Sequence, residues 1–124
     1  MECRLSSNVG GFYVEIEASF IGADLLITCT GGDQPHIGAV AVASLTGAVA
    51  EPDVRLIALT GHREDELARN AAEKICVAIG GTVTFVAGMH WDDIDRAGIE
   101  QVLLNVDECV DGLLQRLTVR CKEM

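Results

Sequence analysis

The stretch 54–88, "VRLIALTGHREDELARNAAEKICVAIGGTVTFVAG", decides the fold. Its first seven residues, Val54 to Thr60, are an aliphatic run that reads as a strand. Then the period changes. From Glu64 to Ile79 the apolar positions are Leu67, Ala68, Ala71, Ala72, Ile75, Cys76 and Ile79, the i, i+4 stripe of an amphipathic helix. Gly80-Gly81 ends the helix, because glycine takes the left-handed backbone that closes a last turn without steric cost. Thr82 to Gly88 is again a strand. Strand, helix, strand is a β-α-β unit, expected parallel and right-handed.

Upstream, "FYVEIEASF" (Phe12–Phe20) alternates Val14, Ile16, Ala18 and Phe20 with Glu15, Glu17 and Ser19, as a half-solvated strand does. Leu25 to Thr30 returns as a more buried strand, so the two form a hairpin. Gly38 to Ser44 is a third strand. Its small side chains imply close approach of a helix or a second subunit. Residues 1–11 read as a loose entry. Downstream, a helix is expected from Asp95 to Leu117, with Asp92, Asp93 and Asp95 at its start, where carboxylates cap amides and suit the dipole. The expectation is one α+β domain over 1–124: a mixed, mainly antiparallel five-stranded sheet with two helices on one face, in the order β-β-β-β-α-β-α.

Bulk properties narrow the function. The formal charge is -10, which repels phosphate backbones and anionic membranes unless a basic patch intervenes, and the sequence has none. No apolar run approaches the roughly 20 residues of a membrane span, and the N-terminus lacks the apolar core of a signal peptide. A cytoplasmic location is expected. The five cysteines are scattered without CxxC spacing, against a disulfide framework or a cysteine zinc site. Cys29, Cys76 and Cys109 lie in apolar patterns and read as core residues.

Three histidines stand out. His36 lies in "GGDQPHIG", His62 in "LTGHRED" and His90 in "AGMHWDD", each at a strand end beside glycine and a carboxylate: Asp33, Glu64 or Asp65, Asp92 or Asp93. If the third strand runs antiparallel to the fourth, all three loops leave one edge of the sheet, where ligand sites gather. Several readings stay open. Three imidazoles and a carboxylate suit a divalent metal, and a His–Asp pair suits acid–base work. A phosphate would suit the amides from Thr30 through Gly31 and Gly32 to Asp33, or the helix start after His62-Arg63. Against these, Asp33-Gln34-Pro35 is an ordinary turn sequence, and "TGGD" lacks the lysine of a P-loop. Trp91 is either a packing residue or a ring to stack on a flat ligand.

Taken together, "TGGDQPHIGAVAVA", "GHRED" before one helix and "VAGMHWDDI" before the other resemble the LpdD-like family, the prenylated-flavin chaperones associated with UbiD-type aromatic-acid decarboxylases. The match runs from about Leu25 to Leu117. The resemblance implies a proteasome-assembly-chaperone-like fold, usually dimeric. It also implies a non-catalytic helper that binds or hands over prenylated FMN, or FMN, or assists the large decarboxylase subunit. The family's loop residues carry over onto Asp33, His36, His62, His90 and Asp92. Gly31, Gly32, Arg63 and Trp91 complete the candidate flavin site, with Arg63 the nearest cation for a flavin phosphate. An assembly chaperone that never touches flavin and a small histidine-based metalloenzyme are the alternatives.

Overall fold

A computed structural model describes residues 3–45, 51–59 and 64–123. The elements run β1 (Cys3–Ser7), a short 3-10 turn (Val9–Gly11), β2 (Val14–Ile21), β3 (Asp24–Gly32), β4 (Ala39–Leu45), β5 (Pro52–Ala58), α1 (Asp65–Ile79), β6 (Val83–His90) and α2 (Arg96–Glu123). The strands form one sheet in the order β1-β2-β3-β6-β4-β5. Only β3 and β6 pair in parallel; the other neighbours are antiparallel. The α+β class and mainly antiparallel sheet match the expectation.

The strand count does not: the described residues hold six strands, not five. The extra one is β1, within the segment expected to be a loose entry. Five residues are too few to display a period, and the reason they are a strand lies in their neighbours. Arg4 reaches Glu15 at 3.0 Å and Glu17 at 2.6 Å across the β1–β2 pair. Leu5 tucks against α2 at Gly112, where a Cβ would stand 2.6 Å from the leucine Cδ2.

The β-α-β unit also differs in detail. β5 and β6 run in the same direction, but β4 lies between them, antiparallel to both. The hydrogen-bonded parallel partner of β6 is β3, in register from Leu25↔Val83 to Gly32↔His90. β6 thus joins two hairpins, β2–β3 and β4–β5. Composition explains the placement. Val83, Phe85 and Ala87 are fully buried, as a central strand should be. β5 keeps Arg55 exposed and leaves Ile57 66% exposed, as an edge strand should.

Alternate residues of β2, β3, β6 and β4 line one face beneath both helices. α1 packs over β4, β6 and β5, and α2 over β1 and β2. The small residues of β4 are explained here: Ala39, Ala41 and Ala43 are fully buried under α1, so a helix, not a second subunit, makes the close approach. α1 ends where Gly80 adopts φ 71° and its N–H bonds to the Cys76 carbonyl at 2.9 Å. α2 begins where Asp95 Oδ1 accepts the Gly98 N–H at 2.8 Å. Of the three aspartates expected to cap it, Asp95 does so; Asp92 and Asp93 lie in the preceding turn. Asn105 of α2 is 1% exposed, and its amide donates to the Val9 and Phe12 carbonyls, tying the N-terminal segment to the helix. Among the described residues no helix is long and apolar enough to cross a membrane.

Cys29, Cys76 and Cys109 are buried, as their patterns implied. Burial pushes all three thiols up, Cys109 to about 11 with help from the Glu108 carboxylate. Inert thiols follow, because the thiolate is the reactive form. In the folded protein at neutral pH a disulfide reagent such as DTNB should modify none of the three. Mapping by mass spectrometry should find them labelled only after denaturation. Rapid native labelling of Cys29 would overturn this core.

Candidate functional site

The C-terminal ends of β3 and β6 and the start of β4 lie at one edge of the sheet. This confirms the condition set by the sequence: β4 is antiparallel to β5, so its start joins the ends of its neighbours. Gly31, Gly32, Asp33, His36, His90, Trp91 and Asp92 are all at this edge. His62 and Arg63 lie outside the described residues.

The backbone at the end of β6 organises the edge. The Gly88 carbonyl accepts the His36 N–H at 3.5 Å, and the His90 carbonyl accepts the Asp33 N–H at 2.7 Å. The Met89 N–H donates to Glu64 Oε1 at 3.2 Å. Gly88 must be glycine for this approach, since a Cβ there would run into the His36 carbonyl. Gly32 adopts φ 79° with the His90 carbonyl against it, a position closed to other residues for both reasons.

These contacts reassign the glycines. The Gly32 N–H is bonded to the Tyr13 carbonyl at 3.3 Å and the Asp33 N–H to His90. Two of the amides that would cradle a phosphate are therefore committed to the sheet. Gly31 and Gly32 serve close packing: a Cβ on Gly31 would crowd the Tyr13 carbonyl and the tip of Trp91.

The sequence set Glu64 or Asp65 beside His62, which lies outside the described residues; the fold also brings Glu64 to a second histidine, its Oε1 lying 3.3 Å from His36 Nε2. Its carboxylate also fills the space over Gly38, where a Cβ would stand 2.5 Å from Oε2. Oε2 itself is buried with no hydrogen-bond partner among the described residues. The other ring nitrogen, His36 Nδ1, lies 2.8 Å from the Gln34 carbonyl and can only donate to it. Nε2 then faces Glu64 as a donor when the ring carries both protons. The second pair is local: His90 Nε2 lies 3.1 Å from Asp92 Oδ1, and the Asp92 N–H reaches Asp33 Oδ2 at 3.3 Å. This pair is solvent-exposed, so its ionic attraction is weak.

Trp91 packs edge-on against Phe12, with centroids 5.8 Å apart and planes at 80°. It is half-buried and lines an open groove of about 720 Å³ between the start of α1, the end of β6 and α2. Leu67, Met89, Ile99, Val102 and Leu103 supply the groove's apolar surface, and Glu64, Asp65 and Glu66 its rim. None of the described lining residues is Lys or Arg. No three His, Cys, Asp or Glu among the described residues approach closely enough to hold a metal ion.

Glu64→Ala should remove the Met89 bond and the His36 contact together. A loss of about 1–3 kcal/mol is expected in urea unfolding, with Glu64→Gln retaining part of it through the surviving acceptor. An unchanged midpoint in Glu64→Ala would show that Glu64 does not hold the edge.

Comparison with known proteins bears on the fold and the family. The family model of the prenylated flavin chaperone LpdD-like domain matches residues 8–118. Protein LpdD of Lactiplantibacillus plantarum is 33% identical over 91 residues, which span 72% of this chain and 65% of that protein's length. A chain in the crystal structure of a chaperone complex for yeast 20S proteasome assembly superposes with a TM-score of 0.57 at 16% identity, covering 93% of this chain and 97% of that one. At that identity the likeness is one of fold. With the matched region covering most of its length, the chain belongs to the LpdD-like prenylated flavin chaperone family.

Proposed function

We propose that this chain is a single-domain, non-catalytic, cytoplasmic helper of a UbiD-type decarboxylase that binds or delivers prenylated FMN. Family membership supports a chaperone role. The observation that carries the cofactor reading is the groove beside the strand-end edge. Its volume of about 720 Å³ lies in the usual range for small-molecule sites. Trp91 and His90 stand at its mouth, an aromatic surface and a hydrogen-bonding ring suited to a flat heterocycle. The acidic rim disfavours the flavin phosphate, which would sit away from Glu64, Asp65 and Glu66. A hold that is local and released readily follows, as delivery requires. Asp33, His36 and Asp92 would shape the edge around it. His62 and Arg63 would complete it, Arg63 supplying charge for the phosphate.

Titration with prenylated FMN tests this directly, since Trp91 is the only tryptophan. Saturable quenching of its fluorescence is expected, together with a shift in flavin absorbance. His90→Ala should weaken binding about tenfold, the loss of one good hydrogen bond, without altering the far-UV circular dichroism. No change in flavin absorbance at saturating protein would rule out direct binding. The committed amides and the acidic rim favour the second reading, an assembly chaperone free of flavin. A flavin-free complex with the large decarboxylase subunit would be its signature.

A homodimer belongs to the same proposal. The sheet face away from the helices carries half-buried Val40, Val42 and Val86 with exposed Leu26 and Ile57. A second sheet packed there would remove that apolar surface from water. Light scattering at micromolar concentration should give a dimer, and Ile57→Asp a monomer with unchanged secondary structure. A monomeric wild type would remove the dimer from the proposal.

A further inference from the structure

The groove does not end at the sheet edge. A second hollow of about 220 Å³ continues it along the α1–α2 seam and shares Leu67, Asn70 and Leu103 with the first. Together they form one trough whose α1 wall runs from Glu64 to Lys74. At 1.5 Å per helical residue that wall is about 15 Å long, room for about three turns of a docked helix.

The trough's surface is unusual for a seam between two packed helices. Ile99 and Leu103, one helical turn apart on α2, are 48% and 45% exposed, although they project from the same helix as the buried Val102 and Val106. Around this apolar strip the described lining carries Asp65 and Glu66 at one end and Asp107 at the other, while the Glu64 carboxylate turns inward to Met89 and His36. The sole cation of that lining is Lys74, and its ammonium is already paired with Asp111 at 2.7 Å. An apolar strip flanked by an excess of negative charge is complementary to an apolar strip flanked by positive charge. It is a poor match for a second copy of this chain, whose net charge is -10.

We infer that the α1–α2 trough docks a short amphipathic helix of a protein partner, with leucine-like residues at i, i+4 and i+7 and lysine or arginine on its flanks. Ile99, Leu103 and Leu67 take the apolar face, as in other helix-in-groove recognition. Asp65, Glu66 and Asp107 take the cationic flanks. The inference rests on the chaperone reading only in naming a protein as the occupant; helix and flavin would share Leu67, Ile99 and Leu103, so each is tested in the absence of the other.

A fluorescein-labelled model peptide tests it by fluorescence polarisation. The peptide is built of leucine and lysine, with leucines at i, i+4 and i+7. Binding at about 10 µM is expected, at least tenfold tighter than a leucine–glutamate peptide of the same pattern or a lysine peptide without leucines. Ile99→Asp and Leu103→Asp, both at half-exposed positions, should each weaken it about tenfold with unchanged circular dichroism. The double reversal Asp65→Lys, Glu66→Lys should do the same, and should improve binding of the leucine–glutamate peptide. The same charge change on β5 and its approach, Glu51→Lys with Asp53→Lys, should leave binding within about twofold. Equal weakening by the two double reversals, or equal binding of the lysine-only peptide, would show general attraction to an acidic protein and overturn the inference. So would dissociation of the wild-type oligomer by Leu103→Asp, which would give the trough to a second copy. A protein that takes up prenylated FMN but not the peptide sinks this inference alone; the converse sinks only the cofactor reading.

Discussion

Gly88, Met89 and His90 each lend a backbone group to the loop or helix start packed against the end of β6. The Gly88 carbonyl takes the His36 amide, the Met89 amide takes the Glu64 carboxylate, and the His90 carbonyl takes the Asp33 amide. Two segments distant in sequence, the 33–36 loop and the start of α1, are thereby held at one edge by three consecutive residues of one strand. Their geometry requires β6 to lie between β3 and β4, with unsatisfied groups at its end to offer. It also requires glycine at position 88, where a side chain would push the His36 loop away. Buried backbone groups demand partners, so the loops that supply them are as constrained as the strand.

The same bonds set the chemistry of the edge. Amides committed to holding loops are not free to hold a phosphate. What the edge presents instead is two imidazole–carboxylate contacts, one half-buried at His36–Glu64 and one exposed at His90–Asp92. Beside them runs a groove that is apolar within and acidic at the rim. Such a surface recognises shape and apolar area and tolerates cations; it holds an anion only with help from elsewhere. Catalysis by a nucleophile needs a reactive group aimed at a fixed atom. The buried thiols, raised by desolvation, are not such groups.

Much of the architecture was legible in residue order. Alternation in Val14–Phe20 and the helical stripe of 67–79 are strong periodic signals, and the structure keeps both elements within a residue or two. Residues 3–7 were not legible, because their strand exists only through Arg4 on Glu15 and Glu17 and Leu5 on α2. Strand position was also out of reach. That β4 follows β3 in sequence gave no hint that β6 would insert between them, since insertion depends on which edges the two hairpins leave open. At the site, glycine and histidine spacing marked the loops of His36 and His90, which the fold brings to one edge. The contact of Glu64 with His36, 28 positions away, had no signal in the spacing.

The sequence by itself determined the class of the fold, the burial of Cys29, Cys76 and Cys109, the glycine cap at Gly80, and the net acidity. These are local or additive properties: periodicity, backbone preference and charge survive any arrangement of the elements. Only the tertiary structure decided that β6 is central, that the glycines at 31 and 32 pack instead of cradling a phosphate, and that an apolar trough opens between the helices. Each of those depends on which distant segments meet, and meeting is settled by the joint packing of all the elements over one core.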